Sequence, residues 1–262
     1  MLPFTDNVRR ERRPLITGAV VIANLIAYVL AAAHGGSLIG GPSEQTVVHY
    51  GAIPYELAHW GQHCALGLAG LKQALLCSGQ HSVIGSAGPQ PATWETAFAA
   101  MFLHANFLHL AINMVFLGVF GATIEDRAGH LQFLALFLLG GLVALAPQVA
   151  VSPGSAIPTL GASGAIAAVL GAYAVLHPRA KIRTLVVLVF RVTFVELEAW
   201  VVLAAWFALD AILGALGLAT RFGGGTSAAY YAHWSGFAFG AIIAITLLVR
   251  PRDRAPTHRI DV

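Results

Sequence analysis

The sequence predicts an all-α membrane protein, a polytopic bundle of six transmembrane helices. Of its 262 residues, 57% are hydrophobic and only 10% are charged, and the mean hydropathy is +0.73. Soluble domains carry about 25% charged residues, so this composition belongs to the multi-pass membrane class. The net charge of +3 does not indicate a nucleic-acid partner, because the basic residues flank apolar runs and form no patch. The lipid bilayer is therefore the predicted environment.

The length of each apolar run supports this fold class, because a helix crossing about 30 Å of hydrocarbon needs about 20 mostly apolar residues. The predicted helices cover residues 14–33, 97–122, 131–151, 161–176, 195–216 and 228–249. The first apolar run could belong to a cleaved signal peptide, but it exceeds the usual core of about 7–15 residues, so we expect a retained helix. The fourth run ends before Pro178, which cannot continue a helix. Since this run is short for a span, we expect its start to lie below the membrane surface, in a water-filled pit.

The basic residues predict the orientation of the bundle. Thirteen of the fifteen lie at the ends or in the loops of one side, and only Lys72 and Arg221 lie on the other. The positive-inside rule then places both termini in the cytoplasm. We expect a cytoplasmic segment over residues 1–13, a membrane domain over 14–250 with a large external loop at about 34–96, and a cytoplasmic tail over 251–262.

Within the external loop, the apolar segment from Cys64 to Cys77 is too short to span a membrane. Leucines at helical spacing favour an amphipathic helix lying on the membrane surface. A continuous helix of this length would separate the two Cα atoms by about 20 Å, far beyond disulfide reach. Gly67 and Gly70 could instead break the segment into a bridged hairpin. We expect the helix and two free thiols.

Four polar residues in the apolar runs form the candidate site. Ionisable and polar groups are costly in hydrocarbon, so they usually mark a functional site facing the protein interior. Counting about 1.5 Å of rise per residue from the cytoplasmic helix ends places the four in one layer, on the external side of the midplane. They are Ser163, His233, His109 and Asn113.

The positions of Ser163 and His233 favour nucleophilic catalysis. Ser163 lies in the first turn of the fourth helix, where backbone N–H groups and the helix dipole favour a developing oxyanion. A serine needs a base, and a neutral histidine is the usual one. His233 shares a helix face with Gly236 and Gly240, and such small residues allow close contact with the fourth helix.

The second helix predicts the donors for an oxyanion. His109 and Asn113 are four residues apart and therefore lie on one face. His104 lies off that face, so we interpret it as structural, and it does not form the H-E-x-x-H pattern of a zinc site with His109. Asp210 and Glu198 are candidate carboxylates for orienting the base, but a Ser-His dyad without a third member is the simpler interpretation.

A structural interpretation competes with the catalytic one at each position. A single serine or histidine in a membrane helix is more often a packing contact between helices than a catalyst. Taken alone, Ser163 or His109 favours that interpretation. Four residues matched in depth, with glycines that could bring two helices together, favour catalysis.

These motifs together resemble the rhomboid family of intramembrane serine proteases, over about residues 94–250. The matching motifs, in family order, are His104-Ala-Asn-Phe-Leu-His109-Leu-Ala-Ile-Asn113, Glu125-Asp-Arg127, Gly161-Ala-Ser163-Gly164 and His233-x-x-Gly236-x-x-x-Gly240. The resemblance implies that Ser163 is the nucleophile, His233 the base, and His109 and Asn113 oxyanion donors. The remaining motif residues would pack the bundle. It also implies transmembrane protein substrates, no metal or cofactor, and a multi-pass location that we expect to be a bacterial inner membrane.

Two other functions are compatible with a polytopic bundle. A rhomboid-like protein without activity would bind membrane clients without cutting them, but intact Ser163 and His233 argue against it. A transporter would commonly carry inverted repeats with broken helices or paired ionisable groups at the midplane, and the sequence contains no evident pattern of this kind.

Overall fold

The computed structural model describes residues 1–69, 72–79, 90–188, 191–215 and 229–248. Its helices are α1 (Leu15–Ala33), α2 (Glu44–Tyr50), α3 (Pro54–Ala58), α4 (Thr93–Ala99), α5 (Phe107–Phe116), α6 (Ala122–Ala128), α7 (His130–Val151), α8 (Ser163–Leu176), α9 (Ala199–Ala215) and α10 (Ala229–Ile243). Its strands are β1 (Leu2–Asp6), β2 (Cys64–Ala69), β3 (Lys72–Cys77), β4 (Lys181–Leu188) and β5 (Arg191–Glu198). The predicted tail at 251–262 lies outside the described residues.

The predicted polytopic helical bundle is confirmed. Within the described ranges, three helices are long and apolar enough to cross a membrane, namely Leu15–Ala33, Phe107–Ala128 and His130–Val151. The second of these is continuous from α5 to α6 through a π-helical turn at Leu117–Gly121. Two shorter apolar helices cover Ser163–Leu176 and Ala199–Ile212. The last helix, α10, continues into a π-helical segment, Ala244–Leu248.

The predicted start of the second membrane helix, at residue 97, is wrong. The described chain forms α4, a 3₁₀ turn at Ala100–Phe102, and then an extended segment before α5 begins at Phe107. Asn106 has φ −161° and ψ 172°, and its side-chain oxygen accepts a hydrogen bond of 2.9 Å from the His109 N–H. An asparagine in this conformation is a helix N-cap, so the helix starts about ten residues later than the apolar run suggests.

The predicted helix between Cys64 and Cys77 is also wrong. The segment is an antiparallel hairpin of β2 and β3 in which the two cysteines face each other across the strands. They form a disulfide, with their Cα atoms 3.9 Å apart, which no continuous helix could accommodate. The carboxylate of Glu56 accepts a hydrogen bond of 2.6 Å from the Cys64 N–H and thereby joins the hairpin to α3. Covalent closure and strand pairing override the helical spacing of the leucines.

An antiparallel sheet of three strands, in the order β1-β4-β5, lies beside the bundle and was not predicted. It also corrects the predicted start of the fifth membrane helix, because residues 195–198 belong to β5 and α9 begins at Ala199. Lys181 of β4 lies opposite Glu198 of β5, and their side chains form an ion pair of 2.9 Å. Polar side chains at this junction suit a strand end outside the membrane better than a helix within it.

Helix α8 lies at the centre of the bundle. Every residue from Ala165 to Tyr173 is buried, as expected of a helix that is apolar on all sides. It packs against α7 and α10, where Gly140 and Gly240 both lie against Ala168. The central helix therefore holds its first residue, Ser163, inside the protein.

The buried carboxylate of Glu125, in the middle of α6, joins the beginning of α1 to the bundle. Glu125 accepts hydrogen bonds from the N–H groups of Ile16 and Thr17, at 2.8 and 2.7 Å, and from the Thr17 hydroxyl at 2.7 Å. The neighbouring Asp126 accepts two more from the N–H groups of Glu11 and Arg12. Glu125 thereby satisfies two N–H groups in the first turn of α1, and Asp126 holds the segment that precedes it. Arg127 is half-buried in the last turn of the same helix.

Candidate active site

A tight turn presents Ser163 at the N-terminus of α8. Gly161 has φ +118°, a conformation that residues with a side chain rarely adopt, and its N–H donates to the Ala100 carbonyl at 2.8 Å. A β-carbon at this position would lie 2.8 Å from Cε1 of the His109 ring. Glycine at 161 therefore allows the chain to turn into α8 directly beside that histidine.

His233 of α10 lies within hydrogen-bonding distance of the serine. Its Nε2 atom is 2.9 Å from Ser163 Oγ. Close contact between the helices produces this pair, because a β-carbon on Gly236 would overlap the Gly164 carbonyl and one on Gly240 would overlap that of Ala168. Larger residues at either glycine would push α10 away and separate the two side chains.

The two candidate oxyanion donors lie on α5, one turn apart. The His109 ring faces Gly161, and the Asn113 side chain donates one N–H to the His109 carbonyl at 2.8 Å. An amide nitrogen carries two protons, so Asn113 keeps a second N–H for another acceptor. His104 is fully buried and packs edge-on against His109, with 5.2 Å between ring centroids. It packs behind His109 and is not among the residues that line the cavity.

The structure brings all four candidate residues to one cavity of about 520 Å³. Ser163, His233, His109 and Asn113 line it together with residues of α7 and α9. Water could reach the serine in such a cavity even though the surrounding helices are apolar. The arrangement contains a hydroxyl, an adjacent imidazole and nearby donors, the groups that acyl transfer requires.

Two residues of α9 lie against the histidine. Sequence analysis named Asp210 only as a candidate carboxylate and gave Trp206 no role. The Trp206 and His233 rings are 5.1 Å apart, and Asp210 Oδ1 lies 3.0 Å from His233 Nδ1. The available signal was that Asp210 is the only charged residue in the apolar run from 199 to 215. Glu198, the other carboxylate considered for this position, instead contacts Lys181 and the Trp200 ring N–H.

Comparisons with known proteins cover the part of the chain that holds this site. A family model described as the rhomboid domain matches residues 91–250, which include all four candidate residues. Presenilin-associated rhomboid-like protein A, mitochondrial, from Danio rerio is 30% identical over 132 residues, covering 47% of this chain and 34% of that protein. Rhomboid protein 1, mitochondrial, from Saccharomyces cerevisiae is 33% identical over 145 residues, covering 54% and 38%. The chain therefore matches little more than a third of the length of either relative.

Proposed function

Because this chain belongs to the rhomboid family, we propose that it is an intramembrane serine endopeptidase that cleaves transmembrane proteins. Ser163 acts as the nucleophile and His233 as the general base. The observation that carries the proposal is the 2.9 Å distance between Ser163 Oγ and His233 Nε2 inside a cavity among apolar helices. A neutral imidazole in this position can accept the serine proton as the hydroxyl attacks.

The acylation step begins when Ser163 Oγ attacks the carbonyl carbon of the scissile peptide bond. The hydroxyl proton moves to His233 Nε2, and the carbonyl oxygen becomes an oxyanion. When this tetrahedral intermediate collapses, the C–N bond breaks and the amine leaves with the proton from His233. An ester between Ser163 and the N-terminal part of the substrate remains.

The deacylation step repeats the chemistry with water. Water attacks the ester carbon and gives a proton to His233, and a second oxyanion forms. Collapse breaks the ester bond, returns the proton to Ser163 Oγ, and releases a carboxylic acid. The net reaction is hydrolysis of one peptide bond.

We propose that three groups around the serine stabilise both oxyanions. They are the backbone N–H groups at the start of α8, the His109 ring and the second N–H of Asn113. Donors fixed in a site of low polarity act on the transition state without having to reorganise, and one such donor is worth about 2.7–4 kcal/mol. The burial of α8 keeps its N-terminus fixed in position.

Charge distribution supports an orientation for this chemistry. We propose that both termini face the cytoplasm of a bacterial cell and that the cavity opens toward the external side, since most basic residues flank the opposite helix ends. Substrates would then be cut near the external membrane surface. The names of both relatives given above describe them as mitochondrial, so similar chains also occur in an organelle.

The test is cleavage of a transmembrane substrate together with labelling by a fluorophosphonate probe, which reacts with activated serines. We expect Ser163→Ala and His233→Ala each to abolish both signals, and the double variant to be no worse than either single variant, because the two residues act as a unit. Ser235→Ala is the matched control. Its hydroxyl lies on the same helix as His233 but donates to the Ala232 carbonyl at 3.1 Å.

A wild-type protein that neither labels nor cleaves would favour the client-binding alternative. Cleavage by Ser163→Ala at the wild-type rate would exclude Ser163 as the nucleophile. Loss of activity in Ser235→Ala would indicate that α10 tolerates no change near the site, and His233→Ala would then say nothing about catalysis.

A further inference from the structure

Helix α9 carries one carboxylate into the apolar interior, beside the catalytic histidine. Asp210 Oδ1 is 3.0 Å from His233 Nδ1, on the side of the ring opposite Ser163. The two side chains are only 20% and 13% exposed. Three groups from three different helices therefore lie in a row: a carboxylate, an imidazole and a hydroxyl.

The carboxylate that directly precedes α9, that of Glu198, has other partners. Glu198 forms an ion pair with Lys181 and accepts a hydrogen bond of 2.9 Å from the Trp200 ring. Asp210 Oδ2 and His233 Nδ1 are buried and make no hydrogen bond with any described residue. A carboxylate within a membrane helix is costly and generally pairs with another group or serves a function. The imidazole is the ionisable group beside it.

Resting on the proposed function above, we propose that Asp210 is a positioning residue that orients His233 and makes this site a Ser-His-Asp triad. A carboxylate at Nδ1 favours the tautomer in which Nδ1 carries the proton. The Nε2 lone pair then points to Ser163 Oγ, as the base requires. When His233 accepts the serine proton, the adjacent negative charge compensates the imidazolium.

The present alignment of the pair is compatible with this role. The two atoms are 3.0 Å apart, but their present alignment does not make a hydrogen bond. Catalytic hydrogen bonds are often long or poorly aligned before substrate binds and tighten in the complex. Trp206, one helical turn before Asp210, packs on the His233 ring and limits its freedom to rotate.

The test is Asp210→Asn, which preserves the shape of the side chain and removes its charge. An amide can donate to Nδ1 and hold the wrong tautomer, so the base loses its lone pair toward the serine. General-base catalysis is worth about 10²–10⁴-fold, and we expect kcat to fall by about 10²-fold with KM near the wild-type value. The rate of fluorophosphonate labelling should fall by a similar factor, because that reaction also needs the base.

Glu198→Gln is the matched control. It neutralises a carboxylate that directly precedes α9 and does not line the cavity. We expect its kcat and KM to equal those of the wild type. The cleavage rate is divided by the number of active sites, counted after fluorophosphonate labelling has run to completion. Unfolded molecules therefore do not lower the measured kcat of any variant.

The possible outcomes separate this proposal from the proposed function. If the wild type neither cleaves nor labels, the function itself is wrong. If the wild type is active and Asp210→Asn has an unchanged kcat, the protein is a protease with a dyad and Asp210 has no positioning role. A rise in KM at constant kcat would instead make Asp210 part of the substrate-binding surface, and would also overturn the proposal.

Discussion

At the scale of single residues, Asn113 differs from the other proposed catalytic groups because it already makes a hydrogen bond within its own helix. Its amide donates to the His109 carbonyl at 2.8 Å, which fixes the side chain on the cavity side of α5. That bond orients the second N–H without using it. The residue can therefore serve packing and catalysis together.

We expect Asn113→Ala to lower kcat by about 10²-fold, equivalent to about 2.7 kcal/mol, because one oxyanion donor is lost. Kinetics with a transmembrane substrate measure the effect. Asn24→Ala is the control, since Asn24 is buried in α1 and donates to the Val20 carbonyl at the same 2.8 Å, yet it does not line the cavity. Wild-type turnover in Asn113→Ala would mean that Asn113 only packs.

Residue chemistry explains which parts of the site could be predicted from the sequence. Ser163, His109 and His233 stand out because polar groups are rare in apolar runs, and helical rise alone places them at a common depth. Asp210 is equally conspicuous in its run, but its distance from His233 depends on how α9 and α10 are rotated against each other. Rise along a helix gives depth and carries no information about that rotation.

At the scale of elements, the clearest difference between sequence and structure is the hairpin of β2 and β3. Leucine spacing favoured a helix, which is a weak local preference that tertiary contacts readily override. Strand pairing and the Cys64–Cys77 bridge supply those contacts. The sheet of β1, β4 and β5 also went unpredicted, since β1 pairs with a strand far along the chain and the end of β5 was assigned to the fifth helix.

We expect an alkylating reagent to modify neither cysteine of the denatured protein without reductant and both after reduction, because Cys64 and Cys77 are bridged. Mass spectrometry after denaturation measures the two states. Modification of both thiols before reduction would contradict the hairpin. An Ile157→Cys variant is the positive control, since Ile157 is 51% exposed and adds one thiol outside the bridge.

At the scale of the whole molecule, the polytopic helical bundle and the order of its apolar helices could be predicted because membrane thickness sets the length of such runs. The ends of α1, α7 and α8 lie within two residues of the predicted ones, but the second membrane helix starts late because the Asn106 side chain caps it. Orientation in the membrane follows from loop charges and remains a prediction.

We expect a membrane-impermeant thiol reagent applied to intact cells to label Ile157→Cys but not Arg179→Cys. The first site precedes α8 in an exposed loop, and the second follows α8 on the opposite side of the bundle. The native cysteines do not interfere, because they are bridged. Permeabilised cells are the control, in which both sites should react. The reverse pattern in intact cells would invert the proposed topology.

The hydrogen bonds at Glu125 bear on how the protein can be divided. The family model begins at residue 91, but Glu125 is fully buried and its backbone donors come from residues 16 and 17, near the start of the chain. Removing them would take away three of the hydrogen bonds that the buried carboxylate accepts and leave His130 Nδ1 as its remaining described side-chain partner. We therefore expect a fragment cut at the start of the family match to unfold more readily than one that retains the first helix.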